Sequence, residues 1–186
     1  MKRTFDVGMA LLLLCFLALP IAVVAIIIKI TSKGPVLHWS DRVGLNNTIF
    51  KMPKFRTMKI DTPPVATHLL ENPDQFLTKA GKFLRKTSLD ELPQLCSILK
   101  GDMSFVGPRP ALFNQHDLID LRTMKGVHKL TPGLTGWAQI NGRDDIPIPV
   151  KVDFDGYYMK RRSFFFDIKI LWLTIFKVAG SVGIKH

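Results

Sequence analysis

The stretch VGMALLLLCFLALPIAVVAIII, residues 7–28, carries no charged side chain. As an α-helix it would be roughly 33 Å long, about the hydrocarbon thickness of a bilayer. Lys2 and Arg3 precede it, and Lys29 and Lys33 follow it. A signal peptide also begins with basic residues, but this apolar run is long and no small-x-small cleavage pattern comes before Lys29. Pro20 lies in mid-run, where it removes one backbone donor and crowds the preceding turn. The arms on either side of it are each too short to cross a bilayer alone. Basic residues at both ends favour the cytoplasm for both ends. A re-entrant helix broken at Pro20 satisfies that preference, whereas a spanning helix kinked there satisfies only the length.

Working outward from this segment, the remaining chain reads as one compact polar domain. The whole sequence has 186 residues, with 26 Lys and Arg against 15 Asp and Glu, a formal charge of +11. Such an excess suits an anionic partner: a phosphorylated small molecule, an anionic membrane surface or a nucleic acid. Two cysteines, Cys15 and Cys96, exclude a disulfide framework and a cysteine-based zinc module. Residues 35–58 alternate apolar and polar around Gly44-Leu45-Asn46-Asn47, which predicts a short β-hairpin. Residues 61–74 are Pro-rich and read as a surface loop. Helical spacing predicts helices over 78–85, 92–99, 112–124 and 164–178. The last of these carries Phe165, Trp172 and Phe176 beside its apolar stripe, so it suits a core or a membrane interface. Residues 131–149 are rich in Gly and Pro and read as irregular. The fold class expected is α+β: a mainly helical domain with a small hairpin, anchored by the N-terminal segment.

No nucleotide-binding glycine loop, no H-E-x-x-H and no G-x-S-x-G elbow occurs, and the five histidines lack metal-ligand spacing. Chemistry therefore rests on carboxylates and basic residues. The strongest candidate is Ser88-Leu89-Asp90-Glu91-Leu92-Pro93-Gln94. Its structural reading is a helix start: Ser88 and Glu91 as a capping box, or Asp90 as the N-cap with Pro93 in the first turn. Its functional reading is an adjacent carboxylate pair that can hold Mg2+ or attack phosphorus, kept ionised by the dipole, Arg85 and Lys86. Arg109 sits on the stiff turn Gly107-Pro108-Arg109-Pro110, Arg143 follows a glycine, and Lys54, Arg56 and Lys59 follow the hairpin. Guanidinium groups from separate loops would grip a diphosphate if they converged.

The strings KFRTM (54–58), SLDELPQL (88–95), GDMSFVGPRP (101–110) and TPGLTGWAQINGRD (131–144) occur in this order, followed by Asp155-Gly156-Tyr157-Tyr158, Ser163, Asp167 and Lys169. Together they resemble the bacterial sugar transferase family, the monotopic polyprenyl-phosphate phosphoglycosyl transferases. The likeness extends over nearly the whole chain and is to the small members that amount to the catalytic core. Two stretches depart from the family pattern: Leu37-His38-Trp39-Ser40-Asp41, and Pro53 where a tyrosine is common.

The resemblance implies transfer of a sugar 1-phosphate from a UDP-sugar to a polyprenyl phosphate such as undecaprenyl phosphate, releasing UMP. It implies a re-entrant membrane helix over 1–33 and a catalytic domain over 34–186 on the cytoplasmic face of the bacterial inner membrane. Asp90 would be the nucleophile, forming an aspartyl phosphosugar in ping-pong fashion. Glu91 would join it in binding Mg2+, the expected cofactor. Lys54, Arg56, Arg85, Arg109, Gln139 and Arg143 would bind substrate. Partners are then the UDP-sugar, the polyprenyl phosphate and the bilayer, with no nucleic acid and with room for a homo-oligomer. Residues 61–75 and 145–152 are the stretches expected to shape sugar choice.

Overall fold

A computed structural model describes residues 1–62, 72–142 and 146–179 of the chain. The first helix, α1 (Lys2–Thr31), is followed by a hairpin of β1 (Leu37–Val43) and β2 (Ile49–Phe55). Then come α2 (Lys79–Lys86), α3 (Gln94–Lys100), β3 (Ser104–Val106), α4 (His116–Met124), β4 (Gly133–Thr135), α5 (Trp137–Ile140), α6 (Ile148–Arg161) and α7 (Phe164–Ala179). The molecule is thus mainly helical with little sheet, the expected α+β class.

Helix α1 is long and apolar enough to cross a membrane, with a mean hydropathy of 3.2 over its most apolar window. It runs through Pro20 without ending, so the proline removes one rung of the hydrogen-bond ladder from inside a single helix. Its contacts with the domain come in two groups. Near the start, Asp6 and Ala10 are buried, and Met9, Leu13 and Leu14 pack on the main core of Leu95, Ile98, Phe105 and Ile170. Near the end, Val24 and Ile28 are buried against Phe55 and Leu84. Between them, from Cys15 to Pro20, every residue except Leu17 is exposed.

Polar groups fasten both ends. Lys2 Nζ meets Asp167 Oδ2 at 2.6 Å, and the Phe105 amide donates to Asp6 Oδ1 at 3.3 Å. Arg3 donates to the Ile98 carbonyl and, at 2.6 Å, to that of Leu99, capping the open end of α3. At the other end, Arg56 Nη2 donates to Ser32 Oγ at 2.7 Å and lies 3.2 Å from the Ser32 carbonyl oxygen. Gly34 fits there because its φ is +105° and a Cβ would sit 2.3 Å from Arg56 Nη1.

The hairpin forms where alternation predicts it, with Leu37 opposite Phe55 at one end and Val43 opposite Ile49 at the other. Asn46 and Asn47 take left-handed conformations in its turn, which short polar side chains tolerate. The helices expected at 78–85, 92–99, 112–124 and 164–178 are present as α2, α3, α4 and α7. Thr78 caps α2 by accepting from the Gly81 amide at 2.9 Å. The expectation of irregular chain over 131–149 needs correction: it contains β4 and α5, and α6 starts within it. Most of the loop expected at 61–74 lies outside the described residues.

Strands β3 and β4 pair in parallel, Ser104 with Gly133 and Val106 with Thr135. The pairing continues past them, since the Gly107 amide donates to the Thr135 carbonyl and the Gly133 amide to that of Pro108, both at 2.9 Å. A Cβ on Gly133 would lie 2.1 Å from the Gly107 nitrogen. Two glycine-bearing motifs remote in sequence therefore cross backbone to backbone, and the turn that leaves the crossing carries Arg109.

Candidate active site

Asp90 and Glu91 lie in a single 3₁₀ turn, Leu89–Glu91, between α2 and α3. Ser88 enters it in the left-handed region with φ 56° and makes no side-chain cap, so the capping box does not form. Pro93 is the N-cap residue of α3, so Asp90 is not its cap either. Freed of that task, both carboxylates sit among cations. Lys54, on β2, donates to Glu91 Oε1 at 2.7 Å, and Arg109 Nη2 reaches the same oxygen at 3.2 Å. Arg85, in the last turn of α2, donates through Nε to Thr57 Oγ1 at 3.0 Å and lies within the field of Asp90. Three cations thus surround two carboxylates.

The two acids are not equivalent. Burial pushes the Glu91 carboxyl up, but the charges of Lys54 and Arg109 and their hydrogen bonds outweigh it and hold Glu91 well below the ordinary carboxylate range. Asp90 is pushed up to about 6, first by burial, against the opposing pull of Lys54, then by the neighbouring Glu91 charge, against Arg85 and Arg109. Asp90 accepts no hydrogen bond among the described residues and is 9 % exposed. Burial also lowers Lys54. The arrangement is one clamped, permanently ionised carboxylate beside a second, unclamped carboxylate that titrates close to neutrality.

The sequence matches the bacterial sugar transferase family profile over residues 1–181. The chain belongs to the bacterial sugar transferase family. It is 44 % identical over 189 residues to the uncharacterized sugar transferase EpsL of Bacillus subtilis, covering all of this chain and 91 % of that one. It is 41 % identical over 187 residues to the UDP-glucose:undecaprenyl-phosphate glucose-1-phosphate transferase of Escherichia coli, covering 95 % of this chain and 40 % of the relative. The undecaprenyl-phosphate galactose phosphotransferase of Salmonella typhimurium is 37 % identical over 194 residues, 94 % of this chain and 39 % of the relative. The chain spans less than half the length of these last two proteins.

Of the residues expected to serve this sugar transferase, Asp90, Glu91, Lys54, Arg85 and Arg109 come together. Arg56 does not join them. Strand β2 ends at Phe55, so the alternation that would put Arg56 beside Lys54 stops, and its guanidinium turns to Ser32 at the end of α1. Gln139, on α5, bonds back to β4 instead, its Nε2 donating to the Leu134 carbonyl at 2.9 Å. Arg143 lies outside the described residues. Thr57, which orients Arg85, was not singled out from sequence, although it lies inside the KFRTM string. His38, in the stretch that departs from the family pattern, lies on β1. It pairs with Lys54 across the hairpin, and burial, Arg42 and Lys54 all lower its pKa.

Among the described residues no group of three or more His, Cys, Asp or Glu is gathered as a metal cage. The donor set still suits Mg2+, which takes one or two carboxylates and completes its shell with water and substrate phosphate. The oxygens available are those of Asp90 and Glu91.

Proposed function

We propose that this sugar transferase moves a sugar 1-phosphate from a UDP-sugar to a polyprenyl phosphate such as undecaprenyl phosphate, the first membrane step of a bacterial polysaccharide or glycoconjugate pathway. The supporting observation is the asymmetry of the acid pair. A nucleophile needs an ionised oxygen that nothing else holds, and Asp90 at about 6 is mostly ionised at pH 7 and unclamped.

In the first step an Asp90 oxygen attacks the β-phosphorus, the bond from that phosphorus to the bridging oxygen breaks, and UMP leaves with the electron pair. In the second, an oxygen of the polyprenyl phosphate attacks the same phosphorus and the Asp90 carboxylate departs, leaving the lipid diphosphate sugar. Lys54, Arg85 and Arg109 offset the charge that would otherwise keep a diphosphate away from a carboxylate. Mg2+, held by Asp90 and Glu91, would supply further neutralisation when bound.

The proposed membrane arrangement draws its support from α1. Both arms rest on one domain while the middle, at Pro20, stands clear of it, and both flanks are basic. This supports a helix that enters and leaves one leaflet, on the cytoplasmic face of the inner membrane. Helix α7 adds an exposed apolar face of Phe165, Trp172, Ile175 and Phe176, and its Phe164 ring meets Phe5 of α1 edge-on at 5.4 Å. A lipid-borne phosphate and a soluble nucleotide sugar then meet at the interface without extraction of the lipid.

The test is UMP release from a panel of UDP-sugars with undecaprenyl phosphate and Mg2+, run beside Asp90→Asn. Release by the parent, its loss in the variant, and a phosphosugar adduct on Asp90 by mass spectrometry are expected. Equal release by both proteins would remove Asp90 as nucleophile.

A further inference from the structure

Arg109 reaches Glu91 from a turn with two prolines and no helix or strand of its own, so something else must set its position. The crossing with β4 holds the turn's entry, through the Gly133 amide on the Pro108 carbonyl. On the exit side, Arg42 Nη1 lies 3.2 Å from the Pro110 carbonyl oxygen. The residue between them is gripped by a third group. Arg122, on α4, donates through Nη1 to the Arg109 carbonyl at 2.8 Å. Its other edge is fixed from α6, where Nε and Nη2 both donate to Asp155 Oδ2, at 2.9 and 2.7 Å. The Arg122 side chain is 9 % exposed and that of Asp155 2 %.

A buried arginine on a buried aspartate is weak evidence for stability, because desolvation consumes most of the attraction. A pair placed for packing alone also has no need of the third bond, which spends a donor on the backbone of a residue whose side chain is in the site. We infer that Arg122, oriented by Asp155, is a positioning residue for the transfer reaction: it fixes the backbone of Arg109 so that the Arg109 guanidinium meets Glu91 beside Asp90. The inference rests on the proposed function for its kinetic consequence and on the hydrogen-bond chain alone for its geometry. The chain runs from α6 through α4 to the turn, so elements that contribute no side chain to the acid pair still set its electrostatics.

The test is a double-mutant cycle between Arg122→Lys and Arg109→Met. Lysine at 122 keeps a charge for Asp155, and hence the fold, but its single nitrogen cannot reproduce a planar fork that bonds both Asp155 and a carbonyl. Arg122→Lys alone is expected to slow UMP release on the order of a hundredfold, the effect of misplacing a group by about 1 Å. In the Arg109→Met background, which leaves no cation at 109 to be placed, the same change is expected to cost almost nothing in rate. Its effect on melting temperature should be the same in both backgrounds, which separates positioning from folding. Losses that multiply in the double variant would overturn the inference.

Arginine side-chain NMR, with the Arg109 signal assigned from Arg109→Met, supplies a readout that needs no turnover. A shift of that signal in Arg122→Lys is expected, and an unmoved signal would also overturn the inference. If the parent releases no UMP while the signal shifts, the proposed reaction falls and the positioning stands.

Discussion

At the scale of single residues, the pair Asp90–Glu91 shows how much neighbours decide. Two adjacent acids of nearly equal intrinsic acidity are driven apart because Lys54 and Arg109 both choose Glu91. The rate of the first step should therefore rise with pH through an acid limb near 6, as Asp90 loses its proton. Arg85 pulls that pKa down, so Arg85→Met should move the limb to higher pH, costing more activity at pH 6 than at pH 8. A pH–rate profile of kcat/KM for UMP release reads this directly, and a limb that stays in place would mean Arg85 does not act on Asp90. The acids were legible in the sequence as a pair but not in their division of labour. That division comes from a lysine 37 residues before Glu91 and an arginine 18 residues after it. Arg56 stays apart from the acid pair for a local reason, its guanidinium meeting Ser32. It stands two positions from Lys54, the spacing of one strand face, but the strand has already ended.

At the scale of elements, strong periodicity was legible and close backbone contact was not. The hairpin, α2, α3, α4 and α7 each carry an apolar pattern that needs no partner to be recognised. Strands β3 and β4 have three residues apiece and alternate weakly, and their pairing is parallel, so neither implies the other locally. What the sequence did display was Gly107 and Gly133, and the crossing explains both. Gly133→Ala should push the β4 backbone off Gly107, since the added carbon would meet a backbone nitrogen at 2.1 Å. A loss of about 1–3 kcal/mol is expected for such overpacking, read as a lower melting temperature. Slower UMP release should accompany it, because the Arg109 turn leaves from this crossing. An alanine variant with unchanged melting would show that the two backbones can part freely.

At the scale of the whole molecule, the apolar segment and the basic excess were both legible, and they agree: a helix apolar enough to enter lipid and a charge of +11 that suits anionic headgroups. That both arms of α1 rest on the same domain was not legible, because it depends on side chains far along the chain. Under the proposed topology, single cysteines replacing Thr4 and Lys33 in a Cys15→Ser, Cys96→Ser background should both react with a membrane-impermeant thiol reagent only when it is added from the cytoplasmic side. Labelling of the two positions from opposite sides would establish a spanning helix instead.

The bond between Lys2 and Asp167 joins residues 165 positions apart. During synthesis Lys2 therefore leaves the ribosome 165 residues ahead of Asp167. At typical elongation speeds of about 5–20 residues per second, that interval is roughly 10 to 30 s. For all of it the apolar helix has no Asp167 to hold its start, and for the first 99 residues made after Asp6 it has no Phe105 to meet that carboxylate. Under the proposed topology its orientation in the bilayer is set during translation by flanking charge, before these partners exist, and the finished domain locks it. Substitutions of Lys29 or Lys33 would then act on newly made chains, changing how many insert correctly, while leaving protein that has already matured untouched.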